Sequence, residues 1–241
     1  MEYSHNQTKL VIFDKDGTLI NNEIIFGPWT EKIVTKISKI LKFNSIYLYT
    51  HLGYDPIKKI FDGNSIVAKG SNDEIKNAII IFIKSKFNNI DSQKFIDNNW
   101  IELSFKPNDI VPFGNISHLF TKLKNNNIKI AICTSDDRKS TTKMLQILQV
   151  IQYIDFIVCG DDNVSCKPSP EPIFNICKNI NIPPSQTIMI GDTINDIQAG
   201  INSKCYQVYG VLTGGYSTNN LHNAHKIFDN ITQAVDFILK K

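Results

Sequence analysis

Two aspartates one residue apart, Asp14 and Asp16, close the run VIFDKDGTLI just ahead of a glycine. In an extended strand, side chains two apart lie on one face, so both carboxylates can converge at the strand's C-terminal end. Acids at that spacing repel, and one takes up a proton unless a cation stands between them. Mg²⁺ suits such a place, because it takes oxygen ligands and is commonly held by a few carboxylates together with substrate phosphate. Gly17 permits the sharp turn that follows, and Thr18 can fix it by a side-chain hydrogen bond. An acidic pair before Gly-Thr can also be an ordinary strand-ending turn, so the rest of the chain has to decide.

Three more stretches carry residues of the right kind. In GDTINDIQAG, at 191 to 200, Asp192 and Asp196 are four apart. If a helix opens near Thr193, both carboxylates can face one edge; the alternative is a capping aspartate with one solvated acid on the first turn. AICTSDD, at 131 to 137, ends an apolar run on Thr134 and Ser135, a pattern that more often only caps a helix. CKPSPEPIF, at 166 to 174, sets Lys167 before a proline-punctuated loop, where a lysine is usually a solvated charge.

These residues need elements to hold them. KLVIFD, IKIAIC, IDFIVC, TIMIGD and CYQVYG are short apolar runs rich in β-branched residues, read as strands buried on both faces. RKSTTKMLQILQV and EPIFNICKNI, between them, read as amphipathic crossover helices. Alternation of this kind predicts an α/β, Rossmann-like parallel sheet with helices on both faces. Residues 21–106 lack the interleaved strands. There, Ile33, Ile37, Ile40 and Leu41 share a helical face that Thr30 can cap. SNDEIKNAIIIFIKSKF keeps Ile75, Ile79, Phe82 and Ile83 on another, its β-branched centre leaving a strand as the alternative, and DSQKFIDNNWIELSF supplies a third helix. The expected organisation is a core of residues 1–20 and 107–241 with an all-α insert at 21–106, the chain returning near FKPNDIVPFG.

Taken in order, these motifs resemble those of the haloacid dehalogenase-like superfamily. DKDGT is similar to its first motif in the phosphatase form, and Thr134-Ser135 stands where its second motif does. KPSPEP is close to the third motif of phosphoglycolate-phosphatase-like members, and GDTIND to the fourth. The resemblance spans essentially the whole chain and implies that 21–106 is an α-helical cap domain. It implies Asp14 as a nucleophile forming an aspartyl-phosphate, and Asp16 as the acid and base for leaving group and water. Mg²⁺ would be held by Asp14, by Asp16 through its backbone carbonyl, by Asp192, and by Asp196 directly or through a neighbour. Thr134, the Ser135 N–H and Lys167 would bind the remaining phosphoryl oxygens. Asp136 and Asp137 depart from the commoner neutral or basic neighbours of the second motif, leaving them to cap the helix or to tune what approaches.

The implied reaction is Mg-dependent hydrolysis of a small phosphorylated metabolite, phosphoglycolate-like or a sugar phosphate. A phosphosugar mutase uses the same acid pair and is the near rival. A dehalogenase has no role for Asp16 and its Gly-Thr sequel, and a non-catalytic phospho-ligand-binding module typically lacks a motif acid, whereas this chain has them all. Specificity would come from the insert. Lys69, in VAKGSND, could meet a second anionic group or lie in a solvated linker, and Phe26 and Trp29 could line an entrance or only staple the first helix.

Composition narrows the partners. The 241 residues, 42% hydrophobic, suffice for one substantial core and a smaller satellite. The 26 Lys+Arg and 23 Asp+Glu are interspersed without a basic stripe, which argues against nucleic acid. No apolar stretch approaches a bilayer span and the first residues do not read as a signal peptide, so a cytoplasmic protein without membrane partners is expected. Five cysteines without close pairing read as reduced thiols, and no feature of the sequence sets an oligomeric state.

Overall fold

The computed structural model describes residues 8–62, 65–214 and 218–240, the side chains of 68 and 69 excepted. The chain divides into two compact units: one holds the chain up to Asn21 and from Ile110 onward, the other Asn22–Asp109. Each has its own apolar core.

The first unit opens with β1 (Leu10–Phe13), every residue of which is buried. The chain then enters the second unit through α1 (Glu23–Leu41), α2 (Ile46–Leu52), the two-residue strands β2 (Tyr54–Asp55) and β3 (Ile60–Phe61), α3 (Ile66–Lys69), α4 (Asn72–Lys86) and α5 (Ser92–Asn99). It returns through α6 (Ile116–Asn125), β4 (Lys129–Cys133), α7 (Arg138–Ile147), β5 (Phe156–Val158), α8 (Glu171–Ile180), β6 (Thr187–Gly191), α9 (Ile194–Asn202), β7 (Gln207–Val211), β8 (Lys226–Phe228) and α10 (Ile231–Leu239). No helix among the described residues is long and apolar enough to cross a membrane.

Six of these strands form one sheet, β5-β4-β1-β6-β7-β8, all parallel. Phe13 is level with Ile132 of β4 on one side and Ile190 of β6 on the other. Successive crossovers first run outward from β1 to β4 and β5, then return to its opposite side at β6. The strand order reverses at β1, and a reversal leaves a crevice beyond the carboxyl ends of the strands, where open α/β sheets bind ligands. The residues that leave β1, β4 and β6 at that end are Asp14, Thr134 and Asp192.

The second unit is helical, with a small β2–β3 hairpin. Its helix α4 buries Ile75, Ile79, Phe82 and Ile83, and Ser71 and Glu74 close a reciprocal capping box at its start. Several expectations need correction here. Helix α1 begins at Glu23 instead of near Thr30, because Phe26 and Trp29 extend the buried stripe backward; Thr30 is buried mid-helix. Ile40, in the last turn, is 47% exposed and off that stripe. The third helix stops at Asn99, with no helix over 100–106. VAKGSND is not a loop: it spans the end of α3 and the cap and first turn of α4.

Candidate active site

The site grows from the way β1 ends. Beyond Phe13 the backbone leaves the extended conformation and turns, with Gly17 at φ 81° and its N–H donating to the Ile20 carbonyl at 2.8 Å. The alternation that would point Asp14 and Asp16 the same way therefore does not reach Asp16. Asp14 remains at the sheet edge, where its N–H donates to the Ile190 carbonyl at 2.9 Å.

Asp14, Asp192 and Asp196 are all buried, and a carboxylate oxygen of each lies within 4.8 Å of the others. Asp192 leaves β6. Asp196 sits one turn into α9, where its Oδ2 accepts from the Thr193 N–H at 3.0 Å and hydroxyl at 2.6 Å, completing a capping box. Lys167 reaches in from the loop before α8. Its Nζ donates to Asp14 Oδ1 at 2.6 Å, Asp196 Oδ1 at 2.5 Å and the Cys133 carbonyl at 3.0 Å.

Asp192 is pinned from two sides. The Thr18 hydroxyl donates to its Oδ1 at 2.8 Å, so this side chain holds Asp192 and not the turn it was expected to fix. Gly17 and Gly214 both pack so closely on the Asp192 carboxylate that a Cβ at either would collide with it. The Thr213 hydroxyl closes the arrangement by donating to the Gly17 carbonyl at 2.6 Å. Sequence reasoning missed this Thr213–Gly214 contribution, which comes from the far end of the chain without any periodic signal.

A second charged group lies beside the first. The Asp16 carboxylate does not join the three acids; it pairs with Lys15 Nζ, at 2.7 Å to Oδ1 and 2.6 Å to Oδ2. Lys15 also reaches Asp136 Oδ2 at 3.1 Å and Met144 Sδ at 3.3 Å, and its side chain is only 1% exposed. Asp137 caps α7, its carboxylate accepting from the Ser140 N–H. Thr134 spends its N–H on the Val158 carbonyl, while its hydroxyl oxygen accepts from the Asp136 N–H at 3.1 Å and keeps its own proton to donate. Ser135 follows it, half-buried.

The remaining two expected residues lie in the helical unit. Trp29 is part of that unit's core, with Nε1 donating to the Ile101 carbonyl at 2.8 Å and its ring edge-on to Trp100. Lys69 ends α3, and its side chain lies outside the described residues.

The electrostatics are those of a buried anionic cluster with more carboxylates than ammoniums. Five carboxylates, of Asp14, Asp16, Asp136, Asp192 and Asp196, face two ammoniums, of Lys15 and Lys167. Burial, then the charge of Asp196, pushes Asp14 up to about 7 against the opposing pull of Lys167. Burial and the charges of Asp14 and Asp196 hold Asp192 well above the carboxylate range. Burial works against the ammonium of Lys167, yet Asp14 and Asp196 outweigh it and keep the group protonated. The same holds for Lys15 between Asp16 and Asp136. An all-oxygen donor set of three buried carboxylates, two of them pushed up by burial and by one another's charge, fits a hard divalent ion.

A family model described as haloacid dehalogenase-like hydrolase matches residues 8–204. A phosphoglycolate phosphatase of Psychrobacter arcticus is 27% identical over 239 residues, 96% of either chain. A pyrophosphatase, PpaX, of Bacillus cereus is 25% identical over 195 residues, 80% of this chain and 78% of its own. Among solved structures, a β-phosphoglucomutase of Clostridium difficile superposes with a TM-score of 0.66 at 22% identity, covering 94% of this chain and 92% of that one.

Proposed function

The chain belongs to the haloacid dehalogenase-like hydrolase family, and we propose that within it this protein is a Mg²⁺-dependent phosphatase of a small phosphorylated metabolite. The observation that carries this reading is the convergence of Asp14, Asp192, Asp196 and Lys167 in one buried cluster at the strand-order reversal. The relatives named as phosphoglycolate phosphatase and pyrophosphatase support a small phosphate ester or anhydride as substrate. Residues 21–106 are proposed as a cap that selects it. The cysteines, none of them in a disulfide among the described residues, suit a reducing compartment such as the cytoplasm.

Asp14 is the proposed nucleophile. It stands at the C-terminal end of the central strand with one oxygen held by Lys167, which leaves the other to attack phosphorus and form an aspartyl-phosphate. Asp16 then gives a proton to the departing oxygen and later takes one from the water that opens the intermediate. Lys167 neutralises charge on the transferring group, and the Thr134 hydroxyl and Ser135 N–H bind further oxygens. Asp14, Asp192 and the Asp16 backbone carbonyl would hold Mg²⁺, with Asp196 as a further ligand or as the anchor of Lys167; the ion supplies charge neutralisation on the phosphoryl oxygens.

A mutase keeps the same acids and differs in what accepts the phosphoryl group, water or a second sugar hydroxyl. The test is a panel of phosphorylated metabolites, with phosphoglycolate, pyrophosphate and sugar phosphates, assayed for released phosphate with and without a chelator. Chelator-sensitive phosphate release supports the proposal. Transfer to a sugar without phosphate release, or turnover indifferent to chelation, overturns it.

A further inference from the structure

A lysine side chain is ordinarily solvated. Lys15 is not: it is among the largest fully buried side chains of the described residues. Its ammonium spans both oxygens of Asp16 and continues to Asp136, whose side chain is only 4% exposed. Asp136 is itself immobilised. Its Oδ1 accepts from the Asp137 N–H at 2.9 Å, its own N–H donates to the Thr134 hydroxyl, and its carbonyl accepts from the Gly160 N–H at 2.8 Å. The Lys15 ammonium also donates to Met144 Sδ of α7 at 3.3 Å. The chain of contacts thus runs from Asp16 through Lys15 and Asp136 to the loop that carries Thr134 and Ser135.

We infer that Lys15 and Asp136 form a positioning pair that fixes the Asp16 carboxylate relative to the phosphate-binding loop, so that its proton meets the leaving oxygen. This rests on the reading of Asp16 as the acid. Burying an ammonium is unfavourable unless it is paired, and here Asp16 takes it at 2.6 Å while Asp136 Oδ2 stands in ion-pair range at 3.1 Å. Neither Lys15 nor Asp136 touches phosphate in this scheme; their effect passes through the orientation of Asp16. Misplacing a catalytic group by about 1 Å can cost about 100-fold in rate.

The test separates proton donation from every other step by its dependence on the leaving group. Phenyl phosphate releases a phenol as weakly acidic as a tyrosine side chain and needs a proton at the transition state, whereas p-nitrophenyl phosphate releases a stable phenoxide of nearly the same shape. Lys15→Met should lower kcat for phenyl phosphate by about 10- to 100-fold and for p-nitrophenyl phosphate by less than about threefold, with KM little changed for either. Asp136→Asn, which keeps Lys15 in place, should show the same bias to a smaller degree and serves if Lys15→Met does not fold. Combining Lys15→Met with Asp16→Asn should cost no more than Asp16→Asn alone, because the lysine acts through that acid. Equal losses on the two substrates, or losses that multiply in the double variant, overturn the inference. If Asp16→Asn itself shows no leaving-group bias, the fault lies in the assignment of the acid. If Asp16→Asn shows it and both Lys15→Met and Asp136→Asn lack it, the fault lies in the positioning pair alone.

Discussion

Asp14→Asn is expected to do two opposite things: end turnover, and make the metal-free protein more stable at alkaline pH. The folded site holds the Asp14 carboxyl at about 7 where it is ordinarily 3.8, because burial and the Asp196 charge outweigh Lys167. Between those values the folded chain keeps a proton that the unfolded chain has lost. Stability therefore falls as pH rises through the window, and the loss is complete above the folded value. At about 1.4 kcal/mol for each tenfold change in proton affinity the interval corresponds to about 4 kcal/mol, a ceiling because the neighbouring acids titrate together. Asparagine matches the neutral acid in size and cannot ionise. In chelator near pH 8 the variant should be about 2–4 kcal/mol more stable than wild type, and near pH 4.5 within about 1 kcal/mol of it. Urea unfolding followed by circular dichroism and extrapolated to water measures both. Excess Mg²⁺ should narrow the gap, since an ion that binds the folded wild type stabilises it by mass action. A variant less stable than wild type near pH 8, or a difference that ignores pH, refutes the reasoning.

Other perturbations probe other parts of the account. Lys167→Met leaves Asp14 and Asp196 without their shared cation and should destabilise the chelated protein by about 3–5 kcal/mol in urea melts, with turnover lost. Gly214→Ala forces Asp192 aside, so activation should need about 10-fold or more additional Mg²⁺ in a metal titration. Burial alone would raise Asp155, but hydrogen bonds from Lys124, the Ile130 N–H and Lys129 hold it below the carboxylate range. Its stabilisation is thus present above about pH 4 and fades as pH falls through the folded value, so the lower urea midpoint of Asp155→Asn at neutral pH should converge on wild type in acid. Trp29→Phe loses the bond to the Ile101 carbonyl and should cost about 1 kcal/mol of stability, leaving KM for the best substrate within about twofold.

The parts legible in the sequence were those written in local patterns. Strands β1, β4 and β6 are continuous apolar runs, helices such as α4 repeat their buried residues at helical spacing, and chemistry-bearing residues sit at the ends of those runs. Edge strand β8 escaped because three residues carry no period. Helix α1 starts earlier than Thr30 suggests: Thr30 has the side chain of a cap, but the packing of Phe26 and Trp29 decides where the helix starts. Within the site, the roles of Lys15 and Thr18 were hidden for a different reason. A lysine is ordinarily solvated, and only the turn at Gly17 together with Asp136, more than a hundred residues away, accounts for the burial of Lys15. The contact of Gly214 with Asp192 likewise depends on tertiary packing that no local spacing encodes.

The most direct measurement is to quench the enzyme in acid during turnover, reduce with borohydride, and map the modified residue by peptide mass spectrometry. Reduction of an acyl phosphate leaves a homoserine-sized residue at the site of covalent attachment. The account predicts that change at position 14 alone, dependent on Mg²⁺ and absent from Asp14→Asn. Modification at Asp16, Asp192 or Asp196, or rapid turnover with no modified residue trapped, would contradict it.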